Sequence, residues 1–209
     1  MYPYIVRDNR RVSPQRLSLI ICTRNRAASL QKCLKEIKVE SLKSVKGELI
    51  LVDNGSDDNT LKIIDSFLNE VDIDCAVISE PRAGLSRARN AGLKYSRGDT
   101  IIFTDDDCYL DDEYINRANE IFENKPFSYC GGRILLYDKT DANYTIMEQE
   151  HFELIPPNSF LPPGKFQGAN LIIKREIYKK IGGFDQQLGA GTPFRCEDID
   201  YVARASNAG

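Results

Sequence analysis

The sequence predicts an α/β fold, a mainly parallel sheet flanked by helices, and three observations predict it. Short runs of Ile, Leu and Val such as SLIIC, ELILVD and TIIFT alternate with stretches whose apolar residues recur at helical spacing. The runs are apolar on consecutive positions, as strands covered on both faces are, and parallel neighbours need the crossovers that intervening helices supply. The chain has 209 residues, 42% hydrophobic and 28% charged, enough for one large domain with a buried core.

Residues 1–15 carry Pro3, Pro14 and several arginines without periodicity, which predicts an extended leader before a core that begins near Arg16. Residues 17–22 then read as a strand, and Ala27, Leu30, Leu34 and Ile37 as one face of a helix. A strand over 48–53 is followed by a helix through Leu61, Ile64 and Leu68, capped by Asp57, Asp58 and Asn59. A strand over 73–79, a helix over 85–95, a strand over 100–104 and a helix over 111–123 continue the alternation. Residues 137–164, with Pro156, Pro157, Pro162 and Pro163, predict a loop or lid. A strand over 166–173, a short helix to Ile181, a turn rich in glycine (Gly182, Gly183, Gly189, Gly191) and a helix starting near Glu197 complete the pattern. That last helix stops abruptly at Gly209, so the natural fold is expected to continue beyond it.

Lys and Arg total 28 against 31 Asp and Glu, a formal charge of −3, without the basic balance that recruits nucleic acid. There is no apolar run of membrane-spanning length, and MYPYIVRDNRRV lacks the apolar core of a signal peptide, so a cytoplasmic protein is expected. Cys22, Cys33, Cys75, Cys108, Cys130 and Cys196 stand far apart, with no C-x-x-C pair and a single histidine. They are expected to be buried apolar groups rather than a zinc site or a disulfide scaffold.

Chemistry is concentrated where Thr23-Arg24-Asn25-Arg26, Asp53-Asn54-Gly55-Ser56 and Asp105-Asp106-Asp107 each follow an apolar strand. In an open α/β sheet these carboxyl ends form the ligand crevice. Three adjacent aspartates repel one another unless a cation neutralises them; Mg²⁺ or Mn²⁺ on carboxylates completes its shell with water and substrate phosphates. Such runs also cap helices and form turns, but Asp111 and Asp112 are placed to cap the following helix, which leaves 105–107 without that duty. Asp53 closes its strand and can accept hydrogen bonds from a nucleobase imide or a ribose hydroxyl. Arg82, Arg87 and Arg89 can meet phosphate or lie on a solvated helix face. Glu197 and Asp198, with Asp200, open the last helix either as favourable first-turn charges or as a general base. Neither aspartate cluster has the glycine and glutamate spacing of a calcium loop. A P-loop and a G-x-G-x-x-G turn are absent, and His151 lacks a nucleophile elbow.

Taken in order, SLIICTRNR, LILVDNGSDDNT, GLSRARNAGLKYSRGDTIIFTDDDC, GANLIIKRE, IGGFD and EDIDYVAR resemble the family 2 glycosyltransferases of the GT-A fold, over about residues 16–209. The resemblance implies a Rossmann-like nucleotide-binding half (16–110) and an acceptor and catalytic half (111–209) within one domain. It implies an inverting transferase that moves a sugar from a nucleotide-diphosphate donor, UDP-sugars favoured, with Mn²⁺ or Mg²⁺. The acceptor is a hydroxyl of a glycan, a lipid-linked or another molecule, in polysaccharide or glycoconjugate synthesis, with peripheral membrane association left open. By position, Thr23, Arg24 and Asn25 match the first-strand motif beside the base, with Cys22 where proline and Arg24 where tyrosine are usual. Asp53 matches the base reader; Asp105 and Asp107 match the D-x-D element, the later aspartate holding the metal and the earlier approaching ribose, with Asp106 between them. Gly168, Ala169 and Asn170 match the strand lining the donor sugar, and Arg82 is grouped with the donor site. Asp198 is the expected catalytic base and Glu197 the second choice. A nucleotidyltransferase would show a basic glycine-rich phosphate loop, which is missing. A phosphatase of the haloacid dehalogenase type would carry D-x-D after its first strand rather than its fourth. A non-catalytic nucleotide-sugar binding module is the other alternative.

Overall fold

A computed structural model describes the chain apart from residues 12, 125, 143, 144, 163 and 209 and the side chain of Asn124; the expectations on Pro163 and Gly209 lie outside the described residues. In chain order the elements are β1 (Tyr4–Asp8), β2 (Leu17–Thr23), α1 (Ala27–Lys35), α2 (Val39–Ser44), β3 (Gly47–Asp53), α3 (Thr60–Glu70) and β4 (Cys75–Ser79). There follow α4 (Leu85–Tyr95), β5 (Thr100–Asp105), α5 (Tyr114–Asn124), β6 (Tyr129–Gly131), β7 (Leu171–Lys174), α6 (Arg175–Ile181) and α7 (Glu197–Asn207). They form one seven-stranded sheet in the order β1-β4-β3-β2-β5-β7-β6.

Four central strands, β4, β3, β2 and β5, run parallel, because α1 to α4 supply the crossovers. Alternate residues of each strand feed two separate cores. Leu19, Leu49, Leu51, Val77 and Ile102 face α1, α3 and α5, while Ile20, Ile50, Val52, Ile78 and Phe103 face α4, α6 and α7. Burial on both faces explains why these strands read as unbroken apolar runs. In-register pairing sets Thr23 beside Asp53, Cys22 beside Asp105, and Asp53 beside Ser79. The polar residues that follow β2, β3 and β5 therefore emerge at one edge.

The sheet is mixed at its margins. Residues 1–15, expected as a leader, contain β1, which pairs antiparallel with β4 from Tyr4 opposite Ser79 to Asp8 opposite Ala76. Its side chains are largely exposed, so no alternation betrayed it. Arg10 anchors the segment: its guanidinium donates to Glu48 Oε2 at 3.0 Å and to the Tyr95 carbonyl at 2.6 Å. β7 is antiparallel to β5 and β6 antiparallel to β7. The strand expected over 166–173 begins only at Leu171, because Gly168–Asn170 forms a 3-10 turn. The helix expected through Ile37 ends at Lys35, and the short α2 follows it. Between β6 and that turn the described residues are irregular, with an isolated bridge between Ile134 and Met147.

The helix starts follow the expected capping chemistry in modified form. Asp58 Oδ1 accepts from Thr60 N at 2.9 Å, and its Oδ2 accepts from Ala27 N at 3.1 Å, so one carboxylate serves the beginnings of both α3 and α1. Asp111 Oδ1 accepts from Glu113 N at 3.0 Å, whereas Asp112 pairs with Lys38 at 2.8 Å.

Candidate active site

An open cleft of about 320 Å³ lies beyond the carboxyl ends of β2, β3 and β5. Thr23, Arg24, Arg26, Asn54 and Asp105 to Asp107 line one side, and Gly84, Leu85, Ala190 and Gly191 the other. The carboxylates within it differ in duty. Asp106 turns inward, its side chain 7% exposed, where it accepts from Thr23 Oγ1 at 2.6 Å and pairs with Arg26 Nε at 2.8 Å. Asp107 stays half exposed and receives Arg26 Nη2 at 2.5 Å. Asp105 is approached by Arg89 Nη2 at 3.4 Å. Burial pushes the carboxyls of Asp105 and Asp106 above the usual range; Arg89 opposes this at Asp105, and Thr23 and Arg26 oppose it at Asp106.

Oxygens of Asp105 and Asp107 and the sulfur of Cys108 lie within 4.8 Å of one another. Sulfur is a soft donor, whereas Mg²⁺ and Mn²⁺ take hard oxygen ligands, so the Cys108 thiol does not belong to a site for either ion. What remains is a pair of hard carboxylates opening on a cleft, a donor set that fits Mg²⁺ or Mn²⁺. Cys108 was not among the ligands expected from the sequence, and the D-x-D pair was.

The glycine-rich loop brings the start of α7 to the same region: Leu85 N donates to the Ala190 carbonyl at 2.9 Å, and Ser86 Oγ to the Leu188 carbonyl at 2.7 Å. Glu197 is buried and accepts from Arg89 Nη1 at 2.6 Å. Asp198, half-buried, accepts from Gly168 N at 3.0 Å and from Ile199 N at 2.8 Å. Gly168 is pressed against Arg89: a Cβ there would sit 2.2 Å from Nη2. The D-x-D, G-A-N and E-D segments thus converge on one buried guanidinium. The sequence left Arg89 between a phosphate contact and a solvated helix face, and its burial excludes the solvated face. The usable signal was helical spacing, since Ser86, Arg89 and Leu93 share the buried side of α4.

Other expected residues are placed differently. Arg82 is not among the residues lining the cleft; its Nε and Nη2 clasp Glu80 at 2.9 Å each. Asp53 is buried at the end of β3 and accepts from Ser56 N at 3.1 Å, bracing its turn. Arg24 lines the cleft while donating to the Asn54 carbonyl at 2.6 Å. Asn25, at φ 52°, joins two loops by accepting from Asp57 N at 2.8 Å. Asn170 is occupied by Tyr114 Oη at 2.6 Å and the Arg133 carbonyl at 2.8 Å, and Ala169 is half-buried in the same turn. Asn54, which the sequence marked only as part of the polar cluster after β3, donates to the carbonyls of Glu80 and Arg82 at 2.8 Å and accepts from Gly84 N at 2.9 Å, which shapes the cleft wall.

Among the described residues no helix is long and apolar enough to cross a membrane. The chain is 25% identical to glycosyltransferase AglE of Haloferax volcanii over 193 residues, 92% of this chain and 62% of that protein. Its fold matches Staphylococcus aureus TarS 1–349 in complex with UDP-GlcNAc at a TM-score of 0.66 and 21% identity, over 92% of this chain and 53% of that one. It matches a mannosyltransferase of Pyrobaculum calidifontis in complex with GDP-Man and Mn²⁺ at a TM-score of 0.65 and 18% identity, over 93% of this chain and 52% of that one. The chain therefore spans 62% of AglE and about half of each solved chain, and the architecture they share is the GT-A fold. The family model described as glycosyl transferase family 2 matches residues 18–184, and the chain belongs to that family.

Proposed function

We propose that this chain forms the donor-binding and catalytic portion of a metal-dependent, inverting glycosyltransferase, which passes a sugar from a nucleotide-diphosphate donor to an acceptor hydroxyl in polysaccharide or glycoconjugate synthesis. The observation that carries the reading is the cleft pair Asp105 and Asp107, linked through Arg89 to Glu197 and hence to its neighbour Asp198. Asp107, with Asp105, would hold Mn²⁺ or Mg²⁺, whose chemistry is to neutralise charge on the departing diphosphate. Thr23 and Arg26 keep Asp106 folded inward, which leaves its two neighbours to face the cleft. Asp198 takes the acceptor proton as the oxygen attacks, and a single displacement inverts the anomeric centre. Glu197 is committed to Arg89 at 2.6 Å, which favours Asp198 as the base. The family match lends no support to the nucleotidyltransferase or binding-module readings.

The solved relatives hold different donors, GDP-Man and UDP-GlcNAc, so a UDP-sugar is the first choice to test rather than a consequence of the fold. A panel of UDP-, GDP- and dTDP-sugars is screened for Mn²⁺-dependent thermal stabilisation and donor hydrolysis. Stabilisation and slow hydrolysis by one donor class, both abolished by a chelator, support the reading. A panel with neither effect overturns it for this chain.

A further inference from the structure

Among the described residues Arg89 is the one strongly buried cation in the candidate site, its side chain 3% exposed, and the mechanism above gives it no step. Its contacts belong to three separate segments. Nη1 meets Glu197 at 2.6 Å, Nη2 faces Asp105 at 3.4 Å, and the guanidinium carbon stands 5.5 Å from the centre of the Phe184 ring. Phe184 in turn stacks on Tyr201 of α7 at 4.4 Å and meets Phe103 of β5 edge-on at 5.2 Å. The backbone of Gly168 closes the fourth side with no room for a Cβ, and its N–H holds Asp198 Oδ2. Gly189, at φ 99°, lies against the Glu197 carboxylate, where an added Cβ would come within 3.2 Å.

From this geometry we infer that Arg89 is a positioning residue for the transfer step: it fixes Glu197 and Gly168, and through them the angle at which Asp198 is presented beside Asp105. The inference rests on the glycosyl-transfer reading and adds a residue to it. A planar fork with two parallel donors satisfies both carboxylates in one orientation, whereas a lysine ammonium offers a single centre and must choose between them. Arg89 is committed to Glu197 and Asp105 with its side chain 3% exposed, and it is not among the residues lining the cleft. It therefore acts through Asp198 and not by touching the donor.

Arg89→Lys tests this, with Glu197→Gln as the companion that keeps the buried cation and an acceptor beside it. Three quantities are read for each: Mn²⁺-dependent UDP binding by calorimetry, turnover on the best donor, and hydrogen exchange at Gly168 and the first turn of α7. For Arg89→Lys the expected pattern is a UDP Kd within about threefold of the parent and kcat lower by about 100-fold, the loss that a displacement near 1 Å produces. Exchange should be faster by about tenfold or more at Gly168 and residues 198–201, with β2 and β3 unchanged. Glu197→Gln should show the same pattern with a smaller loss, and the double variant should lose less than the product of the two. Unchanged kcat and α7 exchange overturn the inference, as does a UDP affinity that falls in step with kcat, which would put Arg89 on the donor. A parent protein without turnover on any donor, whose α7 still loosens in Arg89→Lys, overturns the glycosyl-transfer reading while supporting the linkage.

Discussion

Asp107→Asn separates the metal-site reading from a purely structural one. In the fold Asp107 contributes one ion pair, with Arg26, at a side chain 51% exposed. An exposed pair of this kind is worth up to about 1 kcal/mol, and Arg26 retains Asp106 at 2.8 Å, so Tm should move by no more than roughly 2 to 4 °C. The cation should respond far more strongly. A divalent cation and one carboxylate charge about 4 Å apart at an effective dielectric near 20 interact by about 8 kcal/mol. If desolvation and water substitution offset about two-thirds to three-quarters of that, about 2 to 3 kcal/mol remains, a loss of roughly 30- to 150-fold in metal affinity. The assay is titration of UDP in Mn²⁺ by calorimetry, repeated in a chelator, beside a thermal melt. The expected outcome is near-complete loss of the Mn²⁺-dependent part of the binding with an almost unchanged melt. A UDP affinity in Mn²⁺ equal to the parent's would refute the reasoning, and a melt lowered by 10 °C or so would show that Asp107 is a structural residue.

Three further outcomes are expected. Asp198→Asn should reduce kcat by about 10² to 10⁴ while donor affinity stays within a few-fold, since the amide cannot accept the acceptor proton; retained turnover would move the role to Glu197. Glu48→Ala removes a carboxylate with no exposed surface that receives Arg10 at 3.0 Å and Ser18 Oγ at 2.6 Å. Arg10 keeps Asp8 at 2.7 Å, so the lost partner should cost about 2 to 3 kcal/mol and lower Tm by roughly 5 to 10 °C, read by calorimetric unfolding. Iodoacetamide at pH 8 should modify the exposed Cys196 first. Burial pushes the thiols of Cys22, Cys33 and Cys108 up to about 12, so about one in ten thousand is ionised at that pH. Peptide mapping that finds Cys33 labelled as fast as Cys196 would show that α1 opens away from the sheet.

The central strands were legible because each is buried on both faces and so is written as a local apolar run. Helix α4 falls at the expected 85–95, since its apolar residues repeat at helical spacing. The margins were not legible. β1 has almost no buried face and is held by backbone bonds to β4 and by Arg10, a contact across 38 residues to Glu48. β6 is three half-buried residues long, too short to show any period.

In the site, the order of the clusters along the chain was enough to place the polar residues after β2, β3 and β5 at one edge, because each follows an apolar strand, whereas the D-x-D and E-D assignments came from the family resemblance. Their division of labour was not encoded locally. Three adjacent aspartates look alike in sequence, and Thr23 and Arg26, about 80 residues away, turn the middle one inward. Arg82 and Arg89 are both arginines near the same helix, yet Glu80 holds the first outside the cleft and Glu197 draws the second beneath it.

By itself the sequence determined the periodicities, the parallel core and the edge of the sheet where polar residues gather, since these depend on neighbours within a few positions. Tertiary structure decided which charge meets which. A buried ion pair is fixed by distance and desolvation between segments about 100 residues apart, and no local pattern carries that information.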